Sequence, residues 1–476
     1  MKSFNYFAMS LAATAMISFA SCSSNDDLAG NNNGEAKVDG FYMTLSVQTP
    51  TDNGSRTVQK NKFDATAEES ALSSGTFYLV DAAGNIKFQQ DFTADELSKK
   101  SATFKIAVEN VAAGATYKAY FLANATDATP WKNVFTATNK FAKPYDTANN
   151  FAMFNQNDGD VDGNGYTVKF TDDNKKETSP AKILYKGNES AIKIERLAAR
   201  IDEPTSLTTE ISAYKKDDAT PAEKKAMADA VKKVASVTLN RYAIANAANK
   251  SFIMQTWEGT TLNIPSGITY YQPTKDFGTK TKLENDNFFA AADKTDDDDA
   301  QKDYVFENNA STAVDATAIY FEYKVTLNDM EGADFSDGTF YRYNNVIYKS
   351  FADIFAAYEG VGGLFNGASA EKLKEDLTDA KTKGDVEKNL SDFREKYDIE
   401  VFNEGKTYYK QIIQDQYIGY ANAIQRNSVY QLTVKNIFNV GAQVPNGEPD
   451  KDGLFYLDVT VSVNPWVLNT QDVYLK

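Results

Sequence analysis

Histidine is absent from this 476-residue chain, and cysteine occurs once, as Cys22. These two gaps exclude Ser-His-Asp and Cys-His catalysis, zinc sites built on His or Cys, and any intramolecular disulfide. Carboxylate, lysine or tyrosine chemistry stays open to such a chain. No stretch gathers paired carboxylates into a local constellation, so the reading is non-enzymatic, with no cofactor. Tryptophan is scarce, with Trp131, Trp257 and Trp466 alone. A positive charge balance is also missing: 50 Lys and Arg against 66 Asp and Glu leave a formal charge of -16. An acidic surface repels phosphates, which excludes nucleic acid as a partner.

What is present favours sheets. The chain is 42% hydrophobic and 13% aromatic, with 27 Tyr and 30 Phe, more than a helical bundle needs. Its length exceeds one hydrophobic core, so two domains are expected. Residues 1–21 read as a secretory signal: Lys2, an apolar run through Leu11, Met16 and Ile17, then small residues. The run is too short for a permanent membrane helix. Ala20 and Ser21 directly precede Cys22, as in a lipoprotein processing site, although Phe19 is bulky for its position. Lipidation of Cys22 is expected, and residues 22–37 form a polar Asn-, Asp- and Gly-rich tether.

In residues 38–56, Phe41, Met43, Leu45 and Val47 alternate with Tyr42, Thr44, Ser46 and Gln48, the period-2 signature of a strand with one buried face. The breaker-rich loop that follows ends in Arg56, the first arginine of the chain. A lone basic residue in such a loop suits a trypsin-like protease, against the simpler reading of an ordinary loop arginine. Between residues 75 and 188, short strands recur. Thr76–Val80 and Ile86–Phe88 flank a turn; Phe104, Ile106 and Val108 alternate; Tyr117–Asn124, Tyr166–Phe170 and Ile183–Tyr185 follow. Regular short strands predict a β-sandwich over 57–189. Asp158, Asp160 and Asp162 are spaced like the start of a calcium loop, but the twelfth position is Lys169, where a bidentate Glu is needed. A solvated turn is the favoured reading, and no metal is expected. Asp296–Asp299 reads as an exposed charge run.

A second domain is expected over 190–453. Ser190–Ile201 is a strand candidate carrying Arg196 and Arg200. Thr220-Pro-Ala-Glu223 combines an N-cap, a first-turn proline and a capping-box glutamate, which predicts a helix to about Ala235. Strands resume at Val237–Leu239, Ile319–Leu327, Lys406–Ile413 and Ser428–Ile437. Between them, about 350–397, helical spacing takes over: Phe351, Ile354, Phe355 and Tyr358; Leu373 and Leu377; Val386, Leu390, Phe393 and Tyr397. This reads as a helical excursion packed on one side of a sandwich. In residues 454–476, Leu457, Val459, Val461 and Val463 alternate with Asp458, Thr460 and Ser462; Asn464-Pro465 is expected to interrupt the strand, and a second extended run covers Trp466 to Leu475. A terminal strand with one apolar face completes either its own sheet or another molecule's.

Several of these stretches together resemble a known family. Gly405-Lys-Thr-Tyr-Tyr409, Gln425-Arg-Asn-Ser-Val-Tyr-Gln-Leu432 running to Ile437 and Gly441, and Leu457-Asp-Val-Thr-Val-Ser-Val-Asn-Pro-Trp466 resemble the C-terminal half of major fimbrial subunits of type V pili, above all short-fimbria shaft fimbrillins. Ser18-Phe-Ala-Ser-Cys22 is similar to their lipoprotein site, Phe19 included, and Ile194-Glu-Arg-Leu-Ala-Ala-Arg-Ile201 resembles the basic strand near their domain junction. The resemblance is specific at both termini and weak between about 205 and 400.

The resemblance implies a mainly β fold of two transthyretin-like β-sandwich domains, with the helical excursion in the second. It implies export as an outer-membrane lipoprotein bearing acyl chains such as palmitate on Cys22. An arginine-specific protease then cuts at Arg56-Thr57, and the strand of Phe41, Met43, Leu45 and Val47 leaves with the lipid. The vacated groove takes a donor strand from a neighbouring subunit, drawn from Leu457, Val459, Val461, Val463, Trp466, Leu468, Val473 and Leu475. The implied partners are other copies and accessory fimbrial subunits, head to tail, in an extracellular fimbrium that supports adhesion. Head-to-tail contacts that do not close generate filaments. The alternative is a permanently anchored surface lipoprotein that binds glycans on a β-sandwich.

Overall fold

The computed structural model describes residues 39–48, 63–98, 102–136, 151–155, 165–212, 220–259, 261–268, 270–271, 289–290, 302–311, 315–415, 422–445 and 456–468. The fold is mainly β, with several sheets and a few helices. From Gly40 onward the chain forms one contact unit, and within it the apolar side chains gather into separate clusters between sheets.

The first cluster lies between two layers. One layer holds Ser74–Val80, paired with Ile86–Thr93 on one side and Thr116–Ala123 on the other and buried on both faces from Gly75 to Val80. Thr116–Ala123 continues to Thr167–Lys169 and Ile183–Tyr185. The opposite layer holds Gly40–Leu45 against Ala102–Ala107. The turn expected between Val80 and Ile86 is held by the Asp81 carboxylate, which accepts from the N–H groups of Ala83 and Asn85, both at 2.9 Å.

The second cluster is a sandwich of two sheets. One runs Lys302–Phe306, Ala198–Asp202, Ser428–Phe438, Tyr456–Leu468, Phe63–Ala65; the other runs Phe289–Ala290, Val234–Ala245, Ala318–Leu327, Lys406–Ile412. Ile201, Tyr430, Leu432 and Val434 from the first meet Val237, Tyr242, Ile319 and Phe321 from the second. The basic run after Ser190 is not one strand. Ile192–Arg196 pairs with Met153–Asn155, the chain kinks at Leu197, and Ala198–Asp202 pairs with Lys302–Phe306 and Ser428–Phe438. One run thus serves both cores.

The helices fall where the 3.6-residue spacing predicts: Pro221–Lys233, Phe351–Ala357, Ala370–Thr382 and Val386–Tyr397. Ser350, Ser369 and Asp385 cap the last three by accepting from the third backbone N–H. Phe351, Ile354, Leu373, Leu377, Leu390, Phe393 and Tyr397 are buried, whereas Phe355 and Val386 are partly so. These helices do not lie directly on the sandwich face. They pack on a small sheet of their own, Val346–Tyr348, Phe340–Tyr343 and Glu400–Phe402, and make a third cluster. Arg342 ties it down, forking onto Glu400 at 2.5 and 2.6 Å and donating to the Val440 carbonyl at 2.7 Å.

Asn464-Pro465 does not interrupt the C-terminal strand, which runs unbroken from Tyr456 to Leu468. Pro465 stands opposite Ser428, the first residue of the neighbouring strand. A missing N–H at the end of a ladder disturbs no internal pair.

Candidate functional site

Gly40–Leu45 pairs antiparallel with Ala102–Ala107 over its whole length, from Gly40 opposite Ala107 to Leu45 opposite Ala102. Its other edge is also engaged. Thr44 N–H donates to the Ala181 carbonyl at 2.9 Å and Ala181 N–H to the Tyr42 carbonyl at 2.8 Å; Ile192 N–H reaches Ser46 O at 2.8 Å. Val47–Gln48 then runs parallel to Ile192–Lys193. Phe41, Met43, Leu45 and Val47 are each at most 2% exposed, and all join the first cluster. Burial of side chains this size is worth roughly 1.5–3 kcal/mol each. The segment is thus an inserted strand, seated by alternating apolar side chains and by backbone bonds on both sides.

From Phe63 onward the chain is held differently. Phe63–Ala65 lies parallel to Trp466–Leu468, and Ala65 is buried. A one-turn helix, Ala67–Ser70, follows with a capping box: Thr66 N–H donates to Glu69 Oε2 at 2.7 Å and Glu69 N–H to Thr66 Oγ1 at 3.2 Å. Glu69 is 2% exposed. Its carboxylate also accepts from Arg200 Nη1 at 3.2 Å and from the Tyr304 hydroxyl at 2.8 Å, while its carbonyl accepts from Arg196 Nε at 2.7 Å. Burial alone would raise the Glu69 pKa, but Arg200, the Thr66 N–H, the Tyr304 hydroxyl and Arg196 together hold it below the usual value. Arg196 is fully buried, and desolvation pulls its pKa down against the attraction of Glu69. Arg200 also forks onto Asp202, with Nε to Oδ1 at 2.7 Å.

The C-terminal strand pairs antiparallel with Ser428–Phe438, from Tyr456 opposite Phe438 to Pro465 opposite Ser428. Leu457 is buried and Val459 half-buried in the second cluster. On the other edge, pairing among the described residues is confined to Trp466–Leu468 with Phe63–Ala65.

The residues that carry the fimbrial resemblance are mostly structural ties. Gly405 has φ +74°, and a Cβ there would sit 2.4 Å from the Val325 carbonyl oxygen; a Cβ on Gly441 would sit 2.4 Å from that of Tyr408. The Tyr408 hydroxyl donates to Glu322 at 3.0 Å, which also binds Arg241, and the Tyr409 hydroxyl donates to the Asn439 carbonyl at 2.6 Å. Arg426 is fully buried, bonded to Glu307 at 2.7 Å and to the Ile253 carbonyl at 2.8 Å. Asn427 accepts from Arg196 Nη1 at 3.1 Å, and the Tyr430 hydroxyl donates to Asp415 at 2.9 Å. Tyr408, Tyr409 and Tyr430 stand in strands and Arg426 and Asn427 in the turn before one; their partners lie tens to hundreds of positions away, so no local signal marks them.

Cys22, Arg56, Thr57, Asp158, Asp160, Asp162, Val473 and Leu475 lie outside the described residues, as do the side chains of Val461, Val463, Trp466 and Leu468. Among the described residues no group of three or more His, Cys, Asp or Glu could hold a metal ion. Trp131 is half-buried, stacked on Tyr120 at 4.8 Å and met edge-on by Tyr78. Trp257 is half-buried too and donates its indole N–H to Gln255 at 2.8 Å.

No curated protein matches the chain. Among solved structures, a fimbrilin of Porphyromonas gingivalis W83 is 14% identical and covers 90% of this chain and 99% of its own, at a TM-score of 0.45. A candidate cell adhesion protein of Bacteroides eggerthii DSM 20697 is 12% identical, covering 92% and 99% at 0.46. The tip fimbrial protein of Porphyromonas gingivalis with a C-terminal truncation is 11% identical, covering 90% and 100% at 0.35. At TM-scores below 0.5 these likenesses carry no argument about this chain. Residues 400–472 match the family described as "Major fimbrial subunit protein type IV, Fimbrillin, C-terminal". The pilus numeral differs from the type V reading of the sequence, while the subunit class is the same. The stretch that holds Gly405, Tyr408, Arg426, Gly441 and most of the C-terminal strand is therefore similar to the C-terminal part of fimbrillins, the class of fimbrial subunit that the sequence resembles.

Proposed function

We propose that this chain is a structural subunit of a cell-surface fimbria, most closely a shaft subunit, that assembles by exchange of β-strands between copies and supports adhesion. The match of residues 400–472 to the fimbrillin C-terminal family supports the subunit class. The observation that carries the mechanism is the seating of Gly40–Gln48. A strand at the start of the described chain fills an apolar slot between Ala102–Ala107 on one edge and Ala181 and Ile192 on the other.

On this reading the precursor is exported as a lipoprotein through Cys22, and cleavage at Arg56-Thr57 separates the seated strand from the body. Loss of the strand exposes apolar pockets and two rows of unpaired backbone groups, which drives strand addition. A neighbouring copy supplies the replacement head to tail, and repetition builds an extracellular filament. Leu457–Val463 is bonded in register to its own Tyr430–Ile437 and contributes Leu457 to its own core. Trp466–Leu468 is likewise paired with its own Phe63–Ala65, so we assign donation to residues 469–475, leaving the strand up to Leu468 as its base. The division into two domains belongs to the same proposal, with the crossing at Leu197.

Arg56→Ala is expected to leave lipid-bearing, unpolymerised precursor. The wild type, cut at Arg56, should form ladders on unboiled gels. Deletion of residues 469–476 should abolish ladders while the melting temperature holds. Unchanged filaments in Arg56→Ala would remove the cut from the mechanism, and cut monomers that stay monomers would remove strand exchange.

A further inference from the structure

We infer that Glu69 is a positioning residue. With Arg196, Arg200 and Tyr304 it clamps Phe63–Ser70, downstream of the proposed cut, so that the body keeps this segment in place once the residues up to Arg56 have left. The inference rests on the cleavage reading above for its biological meaning, and on geometry for its content.

Phe63–Ser70 is tied at two points. Its strand portion lies parallel to Trp466–Leu468. Its helical turn is tied through Glu69, whose carboxylate takes hydrogens from Thr66, Arg200 and Tyr304 and whose carbonyl takes one from Arg196. Arg196 extends the tie to Asn427, and Arg200 extends it to Asp202, which accepts from Gln431 at 2.9 Å. Asn427 and Gln431 belong to the stretch that leads into and forms the neighbour of the C-terminal strand. Glu69 thus links Phe63–Ser70 to both cores and to the strand that pairs with Tyr456–Pro465.

The physical need is specific to a cut chain. Before cleavage Phe63–Ser70 is tethered at both ends, because Gly40–Gln48 is seated in the first core. After cleavage it becomes a chain terminus, and termini fray unless tied down. Fraying there would also free Trp466–Leu468 from Phe63–Ala65, the strand it pairs with. With the clamp closed, the donor departs from a fixed point beyond Leu468.

The test is hydrogen exchange read by mass spectrometry on peptides covering 63–70 and 456–468, in the full precursor before and after cleavage with an arginine-specific endoprotease. In the wild type, protection of 63–70 should stay within about twofold on cleavage. In Glu69→Gln it should hold before the cut and fall about tenfold or more after it, the weight of one charge-assisted hydrogen bond. Tyr304→Phe should show a smaller loss with the same dependence on the cut, and carries the test if Glu69→Gln does not fold. Loss of protection in cut wild type overturns the inference, as does full protection in both cut variants. An equal loss before and after the cut would mark Glu69 as an ordinary structural contact and overturn it too. Release of residues 40–48 is read separately from the mass of the cut body. If that strand stays bound while 63–70 stays clamped, the assembly reading fails and the clamp stands.

Discussion

The two described segments before and after Arg56 are held by opposite kinds of force. Gly40–Gln48 is held by Phe41, Met43, Leu45 and Val47 and by main-chain bonds, so its seat is specified only as alternating, apolar and extended. Another extended apolar strand could take the place. Phe63–Ser70 is held through one buried carboxylate with named partners at fixed distances. No generic sequence replaces that. Apolar seating is permissive because burial is non-directional, whereas a buried charge tolerates only the partners that neutralise it.

The comparison is most sharply broken by putting a charge into the permissive seat. Leu45→Asp leaves a carboxylate among Met43, Val47 and their neighbours without a partner to neutralise it. The uncut protein is expected to lose 3–5 kcal/mol or more in chemical denaturation, through a collapse of the first core.

Next comes acid. Glu69 has its pKa lowered by its partners, on balance against burial. A depressed folded pKa gives stability that is fully present above the ordinary glutamate value near 4.5 and is lost as pH falls through the folded value. Acid titration of the wild type should therefore show a loss of stability below pH 4.5 that is smaller in Glu69→Gln, with unfolding followed by fluorescence. A variant and wild type with parallel acid limbs would mean that Glu69 is not the group responsible.

The smallest effect sharpens the permissive side. Met43→Leu keeps volume and apolarity in the seat and should cost less than about 1.5 kcal/mol in denaturant unfolding. A larger loss would mean that the seat reads side-chain shape, not just alternation.

How much of this could be read from the chain depends on the range of the signal. The alternation of Phe41 to Val47 marks a one-faced strand because the period of two is local. It does not name Ala102–Ala107 and Ala181 as neighbours, since nothing local links positions that far apart. The stripe of Leu390, Phe393 and Tyr397 marks a helix, while the strands Val346–Tyr348 and Glu400–Phe402 beneath it are too short to leave a periodic pattern. Asn464-Pro465 reads as a break because proline lacks a donor. The strand continues because Pro465 falls at the end of the partner's ladder, a fact of register. Arg196 and Arg200 read as a basic strand; Glu69, whose carbonyl takes the Arg196 hydrogen and whose carboxylate shares Arg200 with Asp202, lies more than a hundred residues upstream.

The order of apolar and polar residues alone determined a mainly β chain with a helical piece near 350–397, a one-faced strand at each end, and no histidine or cysteine chemistry. These follow from side-chain type and spacing, which act within a few residues. The tertiary structure decided that the first strand is enclosed on both edges, that the last one lies beside Phe63–Ala65, and that Glu69 joins the two cores. Those outcomes depend on which distant surfaces meet, and a long-range contact is chosen by the packing of the whole chain, so it leaves no mark on the residues next to it.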